Sequence, residues 1–329
     1  MGGSHSDIAI VGAGMAGLAC ATKLSAGGRS VQVFDKGRGP GGRMATRRVE
    51  IPSEKGPETV RFDHGAQYFT ARDAGFLAVV EKWEKMGAAA RWAAASRREN
   101  DPAFVGTPGM NAPIQAMARA LGTVSWNTRV EHLLRLDSGW RLSTSDGDTQ
   151  TASNVLVTIP AEQASDLLQE VAPKFAQIAG SVTSEPCWAV MVAFDRRLPI
   201  ARDIFREPKK RISWAARDSA KPGRVGVENW VLHASPKSSR QIIDRPKEEV
   251  AEILLADFFA QTGTEPVKPI HLAAHRWLYA QPASLPAEPA YFDSKARIGV
   301  AGDYLHSPRV EGAWLSGTKL AQLVLEDQP

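Results

Sequence analysis

Cysteine is almost missing from this chain: Cys20 and Cys187 are the only two in 329 residues. That count excludes a disulfide framework, and a reducing cytoplasm is the expected compartment. Long apolar runs are missing too. None reaches the ~18 residues of a membrane span, and no signal-peptide pattern precedes the first apolar segment, so no membrane partner is expected. Charge of one sign is scarce, with 40 basic side chains facing 36 acidic ones for a net charge of +4. The run Lys209-Lys210-Arg211 stands without an aromatic-rich nucleic-acid module. It reads as a solvated loop, open to a phosphate-bearing small substrate, and no nucleic-acid partner is expected. Residues 1–6 formally match an N-myristoylation pattern, but their glycine, serine and histidine suit a flexible lead or cloning scar. No metal site is expected. The hydrophobic content of 43% and charged content of 23% are those of a globular chain, long enough for one large or two modest domains.

What is present begins with Ile8-Ala-Ile-Val-Gly12-Ala-Gly14-Met15-Ala16-Gly17, the glycine fingerprint of a dinucleotide-binding βαβ unit. Ile8–Val11 read as a strand buried on both faces. Gly12 makes the tight turn, Gly14 lets a pyrophosphate approach the backbone, and Gly17 lets the next helix lie close to the sheet. That helix starts at Met15 and Ala16 and runs to about Ser25. Its first turn aims free N–H groups and the positive end of its dipole at the phosphates. Ala26-Gly27-Gly28 ends it, and Val31–Asp35 read as the second strand. Asp35 stands where a carboxylate can accept hydrogen bonds from both ribose hydroxyls, and it would repel a 2′-phosphate.

Further along, residues 50–58 read as a polar surface loop. Residues 72–98 read as helix, with Phe76, Val79, Val80 and Trp83 as a core stripe. A turn and a helix follow Gly106. Strands are expected near 129–134 and 140–144, then a buried strand over 154–160 and a helix from 161 to 168. From 186 to 235 the pattern turns to strands, at 187–194, 212–216 and 230–234, followed by an amphipathic helix over 247–261. Residues 298–303 read as a parallel-type strand and 310–326 as a last helix. The expected architecture is α/β. A Rossmann-type nucleotide domain formed by residues 1–75, 105–165 and 270–329 is interrupted by an α+β substrate domain over 76–104 and 166–269. A reacting ligand is expected at their junction.

Three more segments favour FAD over nicotinamide as the resident dinucleotide. In Lys36-Gly-Arg-Gly-Pro-Gly-Gly42-Arg43-Met44, small residues let the backbone pass close to a long ligand. Lys36, Gly42 and Met44 are expected contacts there, and Arg43 supplies a planar cation for the pyrophosphate or the flavin edge. Ala301-Gly302-Asp303 ends a buried strand, where a carboxylate and N–H groups can hold ribityl hydroxyls and phosphate. Arg309-Val310-Glu311-Gly312-Ala313 opens the last helix, whose N-terminus would stabilise negative charge on a reduced flavin. No cysteine lies near these loops in sequence, so attachment is expected to be non-covalent.

Asp63-His-Gly-Ala66-Gln67-Tyr68-Phe-Thr-Ala, His275-Arg-Trp277-Leu-Tyr279-Ala and Gly302-Asp303 with the run Arg309–Gly317 together resemble the bacterial renalases. These are small FAD enzymes related by fold to the monoamine and polyamine oxidases, and the resemblance runs from Ile8 to Leu325. It implies a p-hydroxybenzoate-hydroxylase-like fold and an oxidase of misreduced dihydro-NAD(P), the 2- or 6-dihydro isomers. Hydride would pass to flavin N5, restoring an aromatic pyridinium, and dioxygen would then be reduced to hydrogen peroxide. No general base is required, so positioning and electrostatics would carry the catalysis. The resemblance implies FAD contacts at Met15, Asp35, Arg43, Gln67 with its neighbour Ala66, Tyr68, Val130 and Asp303. Val130 would act through its backbone, against the adenine. Tyr68, His275 and Trp277 are expected near the reacting ring. Trp188, Trp214 and Trp230 read as core of the inserted sheet. Ser238 and Tyr304-Leu305-His306 depart from the family pattern at positions that could line the pocket.

The alternatives are a flavin-dependent amine oxidase acting on a small amine, a hydroxylase or desaturase of the same fold, and a flavin-binding sensor. A small inserted domain and only four tyrosines weigh against amine oxidation. The sequence leaves open the isomer, the NAD or NADP form and the oligomeric state.

Overall fold

The structure, a computed structural model, describes residues 5–51, 56–98, 101–282 and 288–327. Residues 1–4 of the lead and 52–55 of the polar loop therefore lie outside the described residues. Among the described residues no helix is long and apolar enough to cross a membrane.

Two sheets organise the chain. In the first, His5–Val11 pairs in parallel with Val31–Phe34 on one side and Thr149–Val157 on the other. Ile298–Ala301 and Val124–Ser125 extend the parallel core outward. The hairpin Val130–Leu136 and Gly139–Thr144 joins along Thr149–Val157, and Ala290–Asp293 closes an edge antiparallel. Ile8–Val11 and Val155–Val157 are buried throughout. Strands covered on both faces need such unbroken apolar runs. The helices Met15–Ala26 and Val310–Glu326 cover one face together. They touch backbone to backbone, since a Cβ at Gly317 would lie 2.0 Å from the Ala16 carbonyl oxygen. The first helix itself sits on its preceding turn, where a Cβ at Gly17 would lie 1.9 Å from the Gly12 carbonyl oxygen.

The second sheet is antiparallel, in the order Ile204–Arg206, Ile212–Arg217, Glu228–Ala234, Ser184–Phe194 and His271–Pro282. Strand alternation divides its two faces. Trp188, Val190, Val192, Trp230 and Leu232 pack under the helix Lys247–Thr262, against Val250, Leu254 and Phe258. On the other face Met191, Ala193 and Val231 meet Ile51, Val60 and Phe62 of a hairpin formed by Thr46–Ile51 and Glu58–Asp63. Beyond that hairpin the same face looks onto the first sheet.

Three expectations change. The helix read over 72–98 spans only Ala74–Lys85, started by the Asp73 carboxylate on the Phe76 N–H at 2.9 Å. Gly87, at φ +71°, turns the chain, and Ala89–Arg91 pairs with Ala103–Gly106 as a strand. Phe76, Val80 and Trp83 share one core with Ile8, Leu18 and Leu24, so this segment packs with the nucleotide side rather than apart from it. His271–Pro282, read as nucleotide domain from residue 270 on, is an edge strand of the second sheet along Ser184–Phe194. A helix at Pro173–Gly180 had no sequence counterpart.

Candidate active site

A cavity of about 640 Å3 lies between the carboxyl ends of the parallel strands and the open face of the second sheet. Ligands of open α/β sheets bind at these strand ends. Gly14, Met15 and Ala16 line it from the first turn, Arg43 and Met44 from the second loop, and Gly302 and Asp303 from the last parallel strand. Ala66, Gln67, Tyr68 and Val310 line it too. Where a Cβ of Gly14 would stand, no atom lies within 4 Å, and at Gly42 (φ +52°) the nearest is the Gly14 Cα at 3.8 Å. The two glycine loops thus face each other across a cradle that side chains would fill.

Asp35 pins these loops together. Its Oδ2 accepts the Ala13 N–H at 2.6 Å and its Oδ1 accepts the Gly37 N–H at 2.7 Å. Arg43 donates two parallel hydrogen bonds to Asp303, at 2.8 and 2.6 Å. Such forked pairs fix the plane of a guanidinium. Helix N-termini at Met15 and Val310 open onto the same space. A glycine cradle, a fixed cation and two positive helix ends fit the phosphate and flavin portions of a flavin dinucleotide.

Not every expected contact reaches the cavity. Gly12, Asp35, Lys36, Gly42, Val130 and Gly312 stand outside its lining. Gly12 forms the turn at φ +107°. The Lys36 ammonium donates to Gln163 Oε1 at 2.8 Å. At Gly312 a Cβ would lie 2.2 Å from the Ser307 carbonyl oxygen, so this glycine lets the loop and the last helix meet.

The opposite wall is aromatic and basic. Tyr68 stacks on Trp214 with ring centroids 5.5 Å apart, and the Arg206 guanidinium lies 5.0 Å from the Trp214 ring. Trp277 lines the cavity and donates its indole N–H to the His64 carbonyl at 2.9 Å. His275 does not line it. Its ring meets Trp277 edge-on at 4.5 Å and sits behind, against His64. Trp188 and Trp230 are core, as their apolar strands suggested, but Trp214 is cavity wall. Ser238 and Tyr304-Leu305-His306 stay outside the lining.

Two functional features had no sequence expectation. His233 ends a buried strand and lines the cavity, with Nε2 3.2 Å from the His64 carbonyl oxygen. Of the two neighbours of Nε2, the His64 carbonyl at 3.2 Å and the Gln67 amide nitrogen at 3.4 Å, the closer one accepts, which favours the proton on Nε2. Burial pushes His233 down to about 4 and, with His275 nearby, His64 down to about 3. Strand alternation from Val231 puts His233 on the cavity side, a signal that was there to read. The second feature is a buried charge cluster behind Gln67. Lys221 reaches Asp63 Oδ2 at 3.2 Å and Gln67 Oε1 at 3.3 Å and pairs with Asp218, while Arg224 reaches Asp63 at 2.5 Å. Burial works to raise the Asp63 carboxyl, yet Lys221, Arg224 and the Met110 N–H hold it below the ordinary carboxylate range. Asp218 is raised by burial and by Asp63 beside it.

Cys187 corrects another expectation, because it lines the cavity despite its distance from the flavin loops in sequence. Its Sγ lies near the Trp188 and Ala234 carbonyl oxygens, and burial pushes the thiol up to about 12. A thiol held protonated is a poor nucleophile.

A family model for NAD(P)-binding Rossmann-like domains matches residues 10–82, and one for flavin containing amine oxidoreductases matches residues 76–325. Among solved structures, the fold is similar to that of a candidate protoporphyrinogen oxidase from Exiguobacterium sp. 255-15, with TM-score 0.73, 14% identity, 99% of this chain and 100% of that one. It is similar to a redesigned putrescine oxidase, with TM-score 0.69, 13% identity, and 98% and 99% of the two chains. Cyclohexylamine oxidase from Brevibacterium oxydans IH-35A gives TM-score 0.67 at 12% identity, covering 98% of this chain and 99% of that one.

Proposed function

The chain belongs to the flavin-containing amine oxidoreductases, and on that premise we propose that it oxidises misreduced dihydro-NAD(P), the 2- or 6-dihydro isomers, as the bacterial renalases do. One observation carries the choice over an amine. Among the described residues, both carboxylates lining the cavity are already engaged by arginines, Asp303 by Arg43 and Asp101 by Arg72. A substrate ammonium would meet Arg43, Arg72, Arg97 and Arg309 along the lining and no free carboxylate. A neutral dihydropyridine asks for no counter-charge. The Tyr68–Trp214 stack and Trp277 offer it flat apolar faces.

The flavin in this reading is FAD, which when bound supplies a two-electron acceptor that dioxygen regenerates with release of hydrogen peroxide. Gly14, the first turn from Met15 and Arg43 would hold its pyrophosphate and Asp303 the ribityl chain. Asp35 and Val130, outside the cavity lining, would meet the ribose and the adenine, Asp35 through lone pairs not taken by the Ala13 and Gly37 N–H groups. Val310, at a helix N-terminus, would face developing negative charge. A protonated Cys187 supports a non-covalent attachment, and two free cysteines suit the cytoplasm. At neutral pH His233 is uncharged and its N–H is taken by His64. It therefore orients and desolvates rather than donating a proton, which suits a hydride transfer that needs no base. The rival reading, oxidation of a small amine, rests on family membership.

Anaerobic mixing of the holoenzyme with each dihydro isomer, and in parallel with primary amines and polyamines, tests the proposal. Rapid loss of flavin absorbance with one isomer, yielding NAD⁺ or NADP⁺, is the expected result. Bleaching by an amine alone would overturn it.

A further inference from the structure

We propose that Arg97 and Arg309 form a phosphate-recognition subsite at the cavity mouth, binding the pyrophosphate of the dinucleotide substrate. The inference rests on the dihydro-NAD(P) reading above.

Three arginines, Arg72, Arg97 and Arg309, line the cavity together with one acid on that side, Asp101. They come from separate segments. Arg72 follows the strand Phe69–Thr70, Arg97 follows the short helix Ala93–Ala95, and Arg309 caps the helix Val310–Glu326. Arg72 and Asp101 satisfy each other through two hydrogen bonds, Nε to Oδ1 at 3.1 Å and Nη2 to Oδ2 at 2.7 Å. Arg309 and Asp101 line the same cavity, and Arg72 first, with Arg309 and Arg98 further down, holds the Asp101 carboxyl below the ordinary range. With Asp101 chelated, Arg97 and Arg309 retain two positive charges, and among the described residues neither has an ion-pair partner.

The mouth is also rigidly placed. Glu311 turns back from the last helix to accept the Arg72 and Asp73 N–H groups at 2.6 and 2.7 Å. That clamp fixes the Arg72 loop against the helix start that carries Arg309. The cofactor's own phosphates have a separate cation, Arg43, held by Asp303. Arg97 and Arg309, unlike Arg43, have no carboxylate partner among the described residues and so are open to the phosphates of a second ligand. Two guanidinium forks beyond an aromatic pocket match a flat ring that trails a diphosphate. A small amine has nothing to place there.

The test is equilibrium binding of NAD⁺ and of nicotinamide riboside to the oxidised holoenzyme, read by calorimetry. It compares the wild type with Arg97→Gln, Arg309→Gln and the double variant. The NAD⁺ dissociation constant is expected to rise about tenfold in each single variant and further in the double, as for loss of a charge-assisted bond. The riboside, which ends before the phosphates, should change less than twofold. Added salt should weaken NAD⁺ binding in the wild type and do so less steeply in the double variant. No NAD⁺ binding in the wild type, equal weakening of both ligands, or no weakening of NAD⁺ would each overturn the subsite. Flavin bleaching separates the two readings. Fast bleaching by a dihydro isomer with unchanged NAD⁺ affinity in the double variant removes the subsite alone. Selective loss of NAD⁺ affinity without bleaching in the wild type leaves the subsite and removes the substrate reading.

Discussion

The two walls of the cavity are built from opposite materials. One wall is largely backbone: Gly14 and Gly302 stand where parallel strands end, Gly41 lies in the loop beyond another, and N–H groups and helix ends add to the Arg43–Asp303 pair in its polarity. The other is side chain: Trp214, Trp277, Tyr68 and His233 present rings, fixed from behind by partners on other elements. A backbone wall tolerates little change, because its shape is the chain's own path. A side-chain wall can be rewritten residue by residue without moving a strand. The first suits a constant cofactor and the second a substrate on which relatives of one fold differ.

Substitutions in and beneath the backbone wall should break the comparison most sharply. Gly17→Ala puts a Cβ 1.9 Å from the Gly12 oxygen and should prevent a stable fold, seen as loss of soluble protein or of cooperative melting. Gly14→Ala has open space at its Cβ and should melt like the wild type. It should nevertheless bind flavin at least tenfold more weakly, measured by absorbance after dialysis. If both variants melt alike, the close packing claimed at Gly17 is wrong.

Behind the side-chain wall, Lys221→Met should cost about 3–5 kcal/mol, because it leaves Asp63 and Asp218 buried with only Arg224 to answer them. Denaturant unfolding measures this. Lys221→Met combined with Asp218→Leu should recover part of the loss, since the uncompensated charge is then gone.

Just below neutral pH the smallest effect is acid sensitivity. His64 and His233 are neutral in the fold, at about 3 and about 4 against 6.5 for a free side chain. The unfolded chain binds their protons first, so stability is complete above pH ~6.5 and declines as pH falls toward 4. Asp63, held low, adds to the decline below its ordinary value of 3.8. Thermal midpoints across this range should fall less steeply in His233→Gln. An unchanged slope would remove His233 from the account.

The sequence made the backbone wall legible because its signals are local. Gly12, Gly14 and Gly17 each answer a conformational demand set within a few residues, and Asp35 lies one strand away. The side-chain wall depends on pairing across long separations. Lys221 meets Asp63 across 158 residues, and its own neighbourhood, Asp218-Ser-Ala-Lys221-Pro-Gly, reads as an exposed polar loop. Trp214, read with Trp188 and Trp230 as core, lines the cavity, and His233 carried no expectation, because nothing local in their strands tells that a cavity covers that face. Trp277 and His275 share one face of a strand, as their spacing requires, yet Trp277 closes the cavity and screens His275 from it. The alanines after Gly87 favour helix intrinsically, and pairing with Ala103–Gly106 overrides them.

The crossing of Gly317 on Ala16 also sets an order of events during synthesis. The turn at Gly12–Gly17 leaves the ribosome early, but the helix Val310–Glu326 that seats on it emerges only after nearly all the intervening chain. Until then the first helix lacks its backbone partner, and the cavity lacks Val310 and Ala313. The cavity wall is therefore complete only once both segments are in place.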